Sequence, residues 1–587
     1  MYSFFSNIAS GIKLFVRRTS GVGIEVELAP PPSALTFSTT GLYLFNAAAA
    51  FLPLFFFLYD LAAYPLRDTN EGLYAEIARE MLGTGNFVIP TLLGVPYIEK
   101  PPLLYWLMAL SFHVFGISET SARLVSALPM ACLSFGIFAF CRTLGYARAG
   151  FYALLILSTA LPVVVLSRTV MFDPLLTALL AAVFFAFFKW HAGKGKAWIR
   201  ASAFFLALAT LEKGGVSLIL AGGVIVTFLL MMRDLRTLRA MADPVAISLF
   251  LVIAAPWHVL ASLKQDGFAW FYFINEHCLR FLGMREPRDY HTGPFYYYLS
   301  KLSMLLLPWT PFLGLLIDFS NKQDRAKQTL IRFCQAWVLF PLLFFSLSVA
   351  KSEYYLVLIA PAGALWLGLA LEHHLQKEDD GMLSHCMGLA LALCTAAFLA
   401  LLFASPSQWL SLENMPLWWP ICCVAAWALG ARMMVISRGG GWMRDAVLAS
   451  VGLAMIPILI LVLRTADAKS ERTSSRHIGE LISGQGNIKP AVFVYRNFED
   501  AFASLPFFLR DTVKVIDSQS RDLQFGCRAS PDYGSACISS MQFSQYLKNR
   551  PIAVAVLDKH VQSFRADFGE YPWRSERRGD KWVFFNY

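Results

Sequence analysis

A polytopic α-helical membrane protein, with a small α/β domain at its C-terminal end, is the fold class this sequence predicts. Three observations predict it. The 587 residues are 57% hydrophobic and only 15% charged, with a mean hydropathy of +0.52, more apolar surface than a soluble domain of this size hides. The apolar residues gather in runs of about 20, the length that crosses a bilayer as a helix. From about residue 467 those runs stop, and short β-like stretches alternate with helix-like ones.

In chain order the runs give thirteen candidate spans, near 42–62, 118–141, 148–167, 173–190, 198–213, 215–232, 243–263, 300–319, 331–349, 354–373, 385–404, 414–432 and 445–464. Basic residues concentrate in alternate connections: Lys13, Arg17 and Arg18; Arg142 and Arg148; Lys189, Lys194, Lys196 and Arg200; Arg233, Arg236 and Arg239; Lys322, Arg325 and Lys327; Arg432, Arg438 and Arg444. The positive-inside rule therefore sets a cytoplasmic N-terminal segment (1–41), a transmembrane domain (42–466) with a long outer first loop (63–117), and an outer C-terminal domain (467–587). The connection HHLQKEDDG breaks the pattern, because its acids outnumber its lysines. The formal charge of +10 belongs to these loops, so nucleic acid is not an expected partner. The first residues lack the order of a cleavable signal, since the basic residues follow the apolar ones.

In the C-terminal region, AVFVY (491–495), TVKVID (512–517), IAVAVLD (552–558) and WVFFNY (582–587) read as strands, with helix-like spacing between them. Ten cysteines fit no zinc spacing. Outside the cytoplasm, Cys527 and Cys537 are a candidate disulfide.

Unusual polar groups collect in the outer connections. The first loop carries Asp68 before NEGLYAEIAREML, which has the apolar stripe of a helix lying on a membrane surface, with Asn70 as its cap and Glu71 at its positive end. YIEKPP then pins Glu99 and Lys100 at a fixed height, because Pro101 and Pro102 hold the chain extended before a new helix. Asp173 opens an apolar helix, a costly place for a carboxylate without a partner or cavity, and Arg168 is its nearest candidate partner. The third outer loop adds Glu276, His277, Arg280, Arg285 and Arg288, and Glu212-Lys213-Gly214-Gly215 joins the same rim. SVAKSEYYLVLIAP offers Lys351, Tyr354 and Tyr355 at a helix mouth, a cation and phenols suited to a phosphate at headgroup depth. For most of these residues the bland alternative is a solvated loop charge, a structural ion pair or an aromatic belt.

The stretches NEGLYAEIAREML, GVPYIEKPPLLYW, MFDP, EHCLRF and SVAKSEYYLVLIAP resemble the bacterial aminoarabinose (4-amino-4-deoxy-L-arabinose) lipid A transferase family, within the GT-C, protein-O-mannosyltransferase-like membrane glycosyltransferases. The resemblance implies a GT-C fold of about 13 transmembrane helices with a periplasmic C-terminal domain, in the bacterial inner membrane. It implies transfer of a sugar from an undecaprenyl-phosphate donor to lipid A or a related envelope glycolipid of the lipopolysaccharide. Protein O-glycosylation, glycosylation of another envelope polymer and, further off, flipping of a lipid-linked sugar are the alternatives. By this resemblance Asp68, Glu71, Glu99, Lys100 and Asp173 are the catalytic candidates, and Lys351, Tyr354, Tyr355, Arg168 and Arg280 the donor-phosphate candidates. A divalent metal at Glu99 and His277 is the one cofactor it suggests. Where the family carries Asp-Glu, this chain has Asn70-Glu71, with Leu73 in place of an arginine. The expected reaction is attack on the anomeric carbon with the lipid phosphate leaving, so cations that stabilise the growing charge contribute most. A base is needed only if the acceptor is a hydroxyl.

Overall fold

The computed structural model describes residues 51–587 apart from 288–291, 320–322, 378–380, 405–441 and short stretches between 486 and 549. The N-terminal segment 1–41, the start of the first span, the span at 414–432, and Arg288, Lys322, Arg432 and Arg438 lie outside the described residues.

Among the described residues, eight helices are long and apolar enough to cross a membrane, or up to ten if two bent pairs each count as one span. The protein is thus a multi-pass membrane protein, although thirteen straight spans are not what is seen. The expected span at 198–213 is a helix (Lys196–Lys213), but it is not among those eight. The expected span at 148–167 is a pair, Ala147–Thr159 and Leu161–Ser167, bent by 64°. That at 300–319 turns by 110° between Tyr297–Leu305 and Thr310–Ile317. Proline explains both breaks: Pro162 and Pro308 have no N–H to continue a helix. Irregular backbone survives inside a membrane only where protein covers it, and here the two breaks cover each other. Leu161 N–H donates to the Leu307 carbonyl at 2.9 Å, and Trp309 Nε1 donates to Thr159 Oγ1 at 2.8 Å.

Eight helices position the site: α1 (Asn70–Thr84), α2 (Leu103–Phe115), α3 (Glu119–Thr143), α4 (Phe172–His191), α5 (Lys196–Lys213), α6 (Gly215–Met232), α7 (Pro244–Lys264) and α8 (Arg325–Leu347). Aromatic side chains lock α4, α6 and α8 together: Phe184 on Trp337 (4.6 Å between centroids), Phe188 on Phe333 (5.1 Å) and Phe228 on Phe333 (5.2 Å). Each such contact is worth about 0.5–1.5 kcal/mol beyond its burial. The direction of the helices sorts the loops. The connections rich in basic residues, after α3, α4 and α6, lie at one end; the start of α4, the end of α5 and the end of α7 lie at the other.

Helix α1 departs from the surface-helix expectation. Its N-cap is Thr69, with no side-chain cap, so Asn70 is the first helical residue rather than the cap. Its polar side is covered too, since Glu71 and Glu76 are buried. A Cβ on Gly72 would meet Ser504 of the C-terminal region at 2.5 Å, so only glycine allows this approach.

The C-terminal region holds a six-stranded sheet ordered β5-β4-β3-β6-β8-β7. The strands are β3 (Ala491–Tyr495), β4 (Val513–Ile516), β5 (Cys537–Ile538), β6 (Ile552–Leu557), β7 (Arg574–Arg578) and β8 (Lys581–Phe585), while β1 (Thr91–Leu92) and β2 (Val95–Pro96) form a two-stranded pair in the first loop. The first four of the sheet in spatial order are parallel, and β8 pairs antiparallel with both β6 and β7. All four expected strands are present. The charged strand β7 was not legible, because an edge strand needs no apolar face. Cys527 and Cys537 are joined by a disulfide, with 6.1 Å between their Cα atoms.

Candidate functional site

One end of the bundle gathers Glu99, Lys100, Asp173 and Arg280 of the expected site residues into a connected cluster. Pro101 and Pro102 place Lys100 just before α2. Its ammonium lies 3.7 Å from Glu99 and 3.7 Å from Glu276, and among the described residues it makes no hydrogen bond. Glu99 also takes Arg285 at 2.5 Å, and Glu276 takes both Arg285 and, at 3.0 Å, Arg280. Glu276 and Arg280 face the same way because they lie one turn apart, at the end of the π-helical segment Trp270–Leu279.

Asp173, in the first turn of α4, is held by Lys213 at 2.6 Å, not by Arg168. The Lys213 ammonium also stands 4.7 Å from the Tyr355 ring centroid and 5.9 Å from that of Tyr354, within cation–π range. The two halves of the cluster meet, since the charge of Lys100 acts on Asp173 and that of Arg280 on Tyr354. Among the described residues, four cations (Lys100, Lys213, Arg280, Arg285) thus lie among four carboxylates (Glu99, Asp173, Glu276 and the buried Glu212, which the charges of Lys213 and Asp173 reach). Lys100 and Arg280 keep the most exposure, at 17% and 24% of the side chain. Lysine and arginine side chains that keep some exposure at a membrane face are the equipment for an anion there.

Lys213 was not among the site residues expected from sequence, yet its signal was present. In LEKGG (211–215), a charged pair ends an apolar helix before two glycines. Gly214 has a φ of 70°, and a Cβ there would meet Tyr272 Oη at 2.4 Å and His277 Nε2 at 2.5 Å. The glycine lets the α5–α6 turn close on His277. Arg285 likewise stood in the third outer loop, but nothing local in the sequence told it from Arg280 and Arg288.

Five of the expected site residues have partners other than those expected. Asp68 does not join the cluster: it accepts from the Ser504 N–H at 3.1 Å and Ser504 Oγ at 2.6 Å, and pairs with Lys581 of β8. Burial pushes its carboxyl above the usual range, and Lys581 and the serines pull it back. Arg168 spends its guanidinium on the carbonyls of Phe56, Phe57, Tyr59 and Asp60, at the end of the first apolar helix. Lys351 donates to the carbonyls of Phe345, Ser346 and Ser348 at 2.6–2.8 Å, satisfying the end of α8. His277 is no ligand in this geometry. Burial lowers its pKa, and the neutral ring donates from Nδ1 to the Tyr272 carbonyl while Nε2 accepts the Gly215 N–H. No ring lone pair is left for a metal, and no group of three or more candidate ligands occurs among the described residues.

Glu71 has a different setting from the cluster. It binds Arg123 twice, at 2.8 and 2.9 Å, and accepts the N–H groups of Arg67 and Val170. Arg123 gives its remaining donors to the carbonyls of Leu61, Tyr64 and Pro65. Burial raises the Glu71 carboxyl, but Arg123, Arg67 and the Val170 N–H outweigh it and hold the carboxyl below its ordinary range.

Residues 99–259 match the dolichyl-phosphate-mannose-protein mannosyltransferase family. An undecaprenyl phosphate-alpha-4-amino-4-deoxy-L-arabinose arabinosyl transferase of Aeromonas hydrophila is 32% identical over 365 residues, 60% of this chain and 65% of that protein. The relative of the same name from Aeromonas salmonicida is 32% identical over 61% of this chain and 66% of its own length. The match therefore spans just under two thirds of these two relatives. The Yersinia pestis relative of that name is 25% identical over 86% of this chain and 91% of its own length. The crystal structure of ArnT from Cupriavidus metallidurans bound to undecaprenyl phosphate superposes with a TM-score of 0.76 at 22% identity, covering 94% of this chain and 99% of that one. This chain resembles the aminoarabinose transferases in sequence and has the GT-C fold of ArnT.

Proposed function

We propose that this protein is an integral membrane glycosyltransferase of the bacterial inner membrane. It moves a sugar from an undecaprenyl-phosphate donor to lipid A or a related envelope glycolipid. Its N-terminus is cytoplasmic and its C-terminal domain periplasmic, as the basic loops at the far end of the bundle imply. The observation that carries the reading is the cluster of Lys100, Lys213, Arg280 and Arg285 around Asp173 at a helix-end face.

In this reading the donor phosphate lies between Lys100 and Arg280, the two cations of the cluster whose side chains keep the most exposure. As the bond from phosphate oxygen to anomeric carbon breaks, negative charge grows on the phosphate, and fixed cations stabilise it without reorganising. Asp173, steadied by Lys213, orients the sugar. An acceptor phosphate of lipid A arrives ionised, so no base is required; a hydroxyl acceptor would need Asp173 to take its proton. Tyr354 and Tyr355 wall the pocket beside Lys213. No step of the proposed reaction is assigned to a divalent metal.

The test is mass spectrometry of envelope lipids from a host lacking the gene, complemented with wild type, Asp173→Ala or Lys100→Ala. The reading expects a sugar mass on lipid A that returns with wild type alone. An unchanged lipid A, in a host shown to make the donor, would refute it.

A further inference from the structure

Asp68 and Lys581 lie 513 positions apart in the chain, in the first loop and in the last strand. Both are buried, and the contacts around them are complete. Lys581 Nζ also donates to the Ser474 carbonyl at 2.9 Å. The Asp68 N–H donates to the Thr473 carbonyl at 2.8 Å. Two-sided engagement of backbone and side chain fixes Asp68 in place, not merely its charge.

From Asp68 the contacts run without a gap to the candidate site. One turn on, Gly72 N–H closes on the Arg67 carbonyl at 2.8 Å, which ties the 67–72 segment into a single unit. Glu71, in that unit, accepts the Val170 N–H at 3.1 Å. The next residue, Met171, is gripped by Ser126 of α3, whose Oγ both accepts its N–H and donates to its carbonyl, each at 3.2 Å. Asp173 follows two residues later. The short 168–171 connection belongs to no helix or strand, so these bonds, together with those of Arg168, fix where α4 begins.

We propose that Lys581 is a positioning residue: by gripping Asp68 it sets, through Glu71 and Val170, where Asp173 stands in the site. The C-terminal domain is thereby part of the transferase machinery and not an appendage. The inference rests on the proposed transferase function for its kinetic consequence, but not for its structural one. A displacement of about 1 Å at a reacting group costs on the order of a hundredfold in rate, so a remote grip can govern turnover.

The experiment uses the full chain in lipid nanodiscs, as wild type, Lys581→Met and the double variant Asp68→Asn/Lys581→Met. The single variant strands a buried carboxylate, whereas the double variant removes both charges and recovers folding. Three quantities are read: thermal stability, hydrogen exchange of the 168–173 peptide, and the kcat and KM of sugar transfer from an undecaprenyl-phosphate-linked donor. The expected result is faster exchange at 168–173 in both variants. With it comes a fall in kcat of about ten- to a hundredfold, with KM within about twofold. In the double variant the melting temperature returns and kcat does not. Unchanged exchange at 168–173 in Lys581→Met overturns the inference, and so does a kcat that returns together with the melting temperature. If wild type transfers no sugar, the proposed function fails on its own, and the exchange result still decides the positioning role.

Discussion

Two groups of buried charge lie near one another in this protein and are built in opposite ways. Around Glu71 and Arg123 every donor and acceptor is spent: two side-chain bonds between them, three carbonyls on the arginine and two backbone N–H groups on the carboxylate. Around Lys100 the distances are 3.7 Å, and no hydrogen bond is made among the described residues. A satisfied buried pair holds shape, because breaking it leaves an uncompensated charge. An unsatisfied, partly exposed cation is held ready for a ligand. Sequence alone assigned Asp68, Glu71, Lys100 and Asp173 to one catalytic set, and the difference in satisfaction divides them.

The largest effect should come from breaking the satisfied pair. Glu71→Gln leaves Arg123 without its counter-charge and should cost about 3–5 kcal/mol at neutral pH, read as a fall in melting temperature in detergent or nanodiscs. The folded-state pKa of Glu71 is depressed. Its stabilisation is therefore present above the ordinary carboxylate range and is lost as pH falls through the folded value. The stability gap between wild type and Glu71→Gln should narrow on acidification, and a gap that widens would show the pair to be misread.

Next in size is the core of the site. Asp173→Asn should reduce transfer by about a hundred- to a thousandfold in kcat, the scale of losing a fixed electrostatic group. An enzyme assay in which kcat is kept and only KM rises would move Asp173 from the reacting sugar to the binding of lipid.

Smaller again, Lys100→Ala should weaken undecaprenyl phosphate binding by about tenfold or more, the value of one charge-assisted hydrogen bond. Its melting temperature should stay near that of wild type, since no hydrogen bond of Lys100 is lost. The smallest effect belongs to Arg476→Ala on the exposed pair with Glu119, 3.5 Å apart. Less than about 1 kcal/mol is expected, and a larger loss would show this surface to be coupled to the grip on Asp68.

The membrane architecture was legible because hydropathy and loop charge are local properties. The four apolar strands of the C-terminal domain were legible for the same reason. What stayed hidden depends on distance in the chain. Nothing near Asp68 announces Lys581, and nothing near Asp173 prefers Lys213 to Arg168, which is five residues away and seemed the natural partner. Lys351 looked like a phosphate ligand because a lysine beside two tyrosines fits that chemistry; only the fold reveals that three carbonyls at the end of α8 already claim it. The bends at 64° and 110° were invisible to hydropathy, which does not see a proline's missing N–H.

The most direct test is undecaprenyl phosphate binding to the purified full chain by native mass spectrometry, comparing wild type, Lys100→Ala and Asp68→Asn. The account predicts that Lys100→Ala loses lipid occupancy at unchanged stability, while Asp68→Asn loses stability and keeps its occupancy. Equal loss of occupancy in both variants would contradict the division between the charges that bind and the charges that hold.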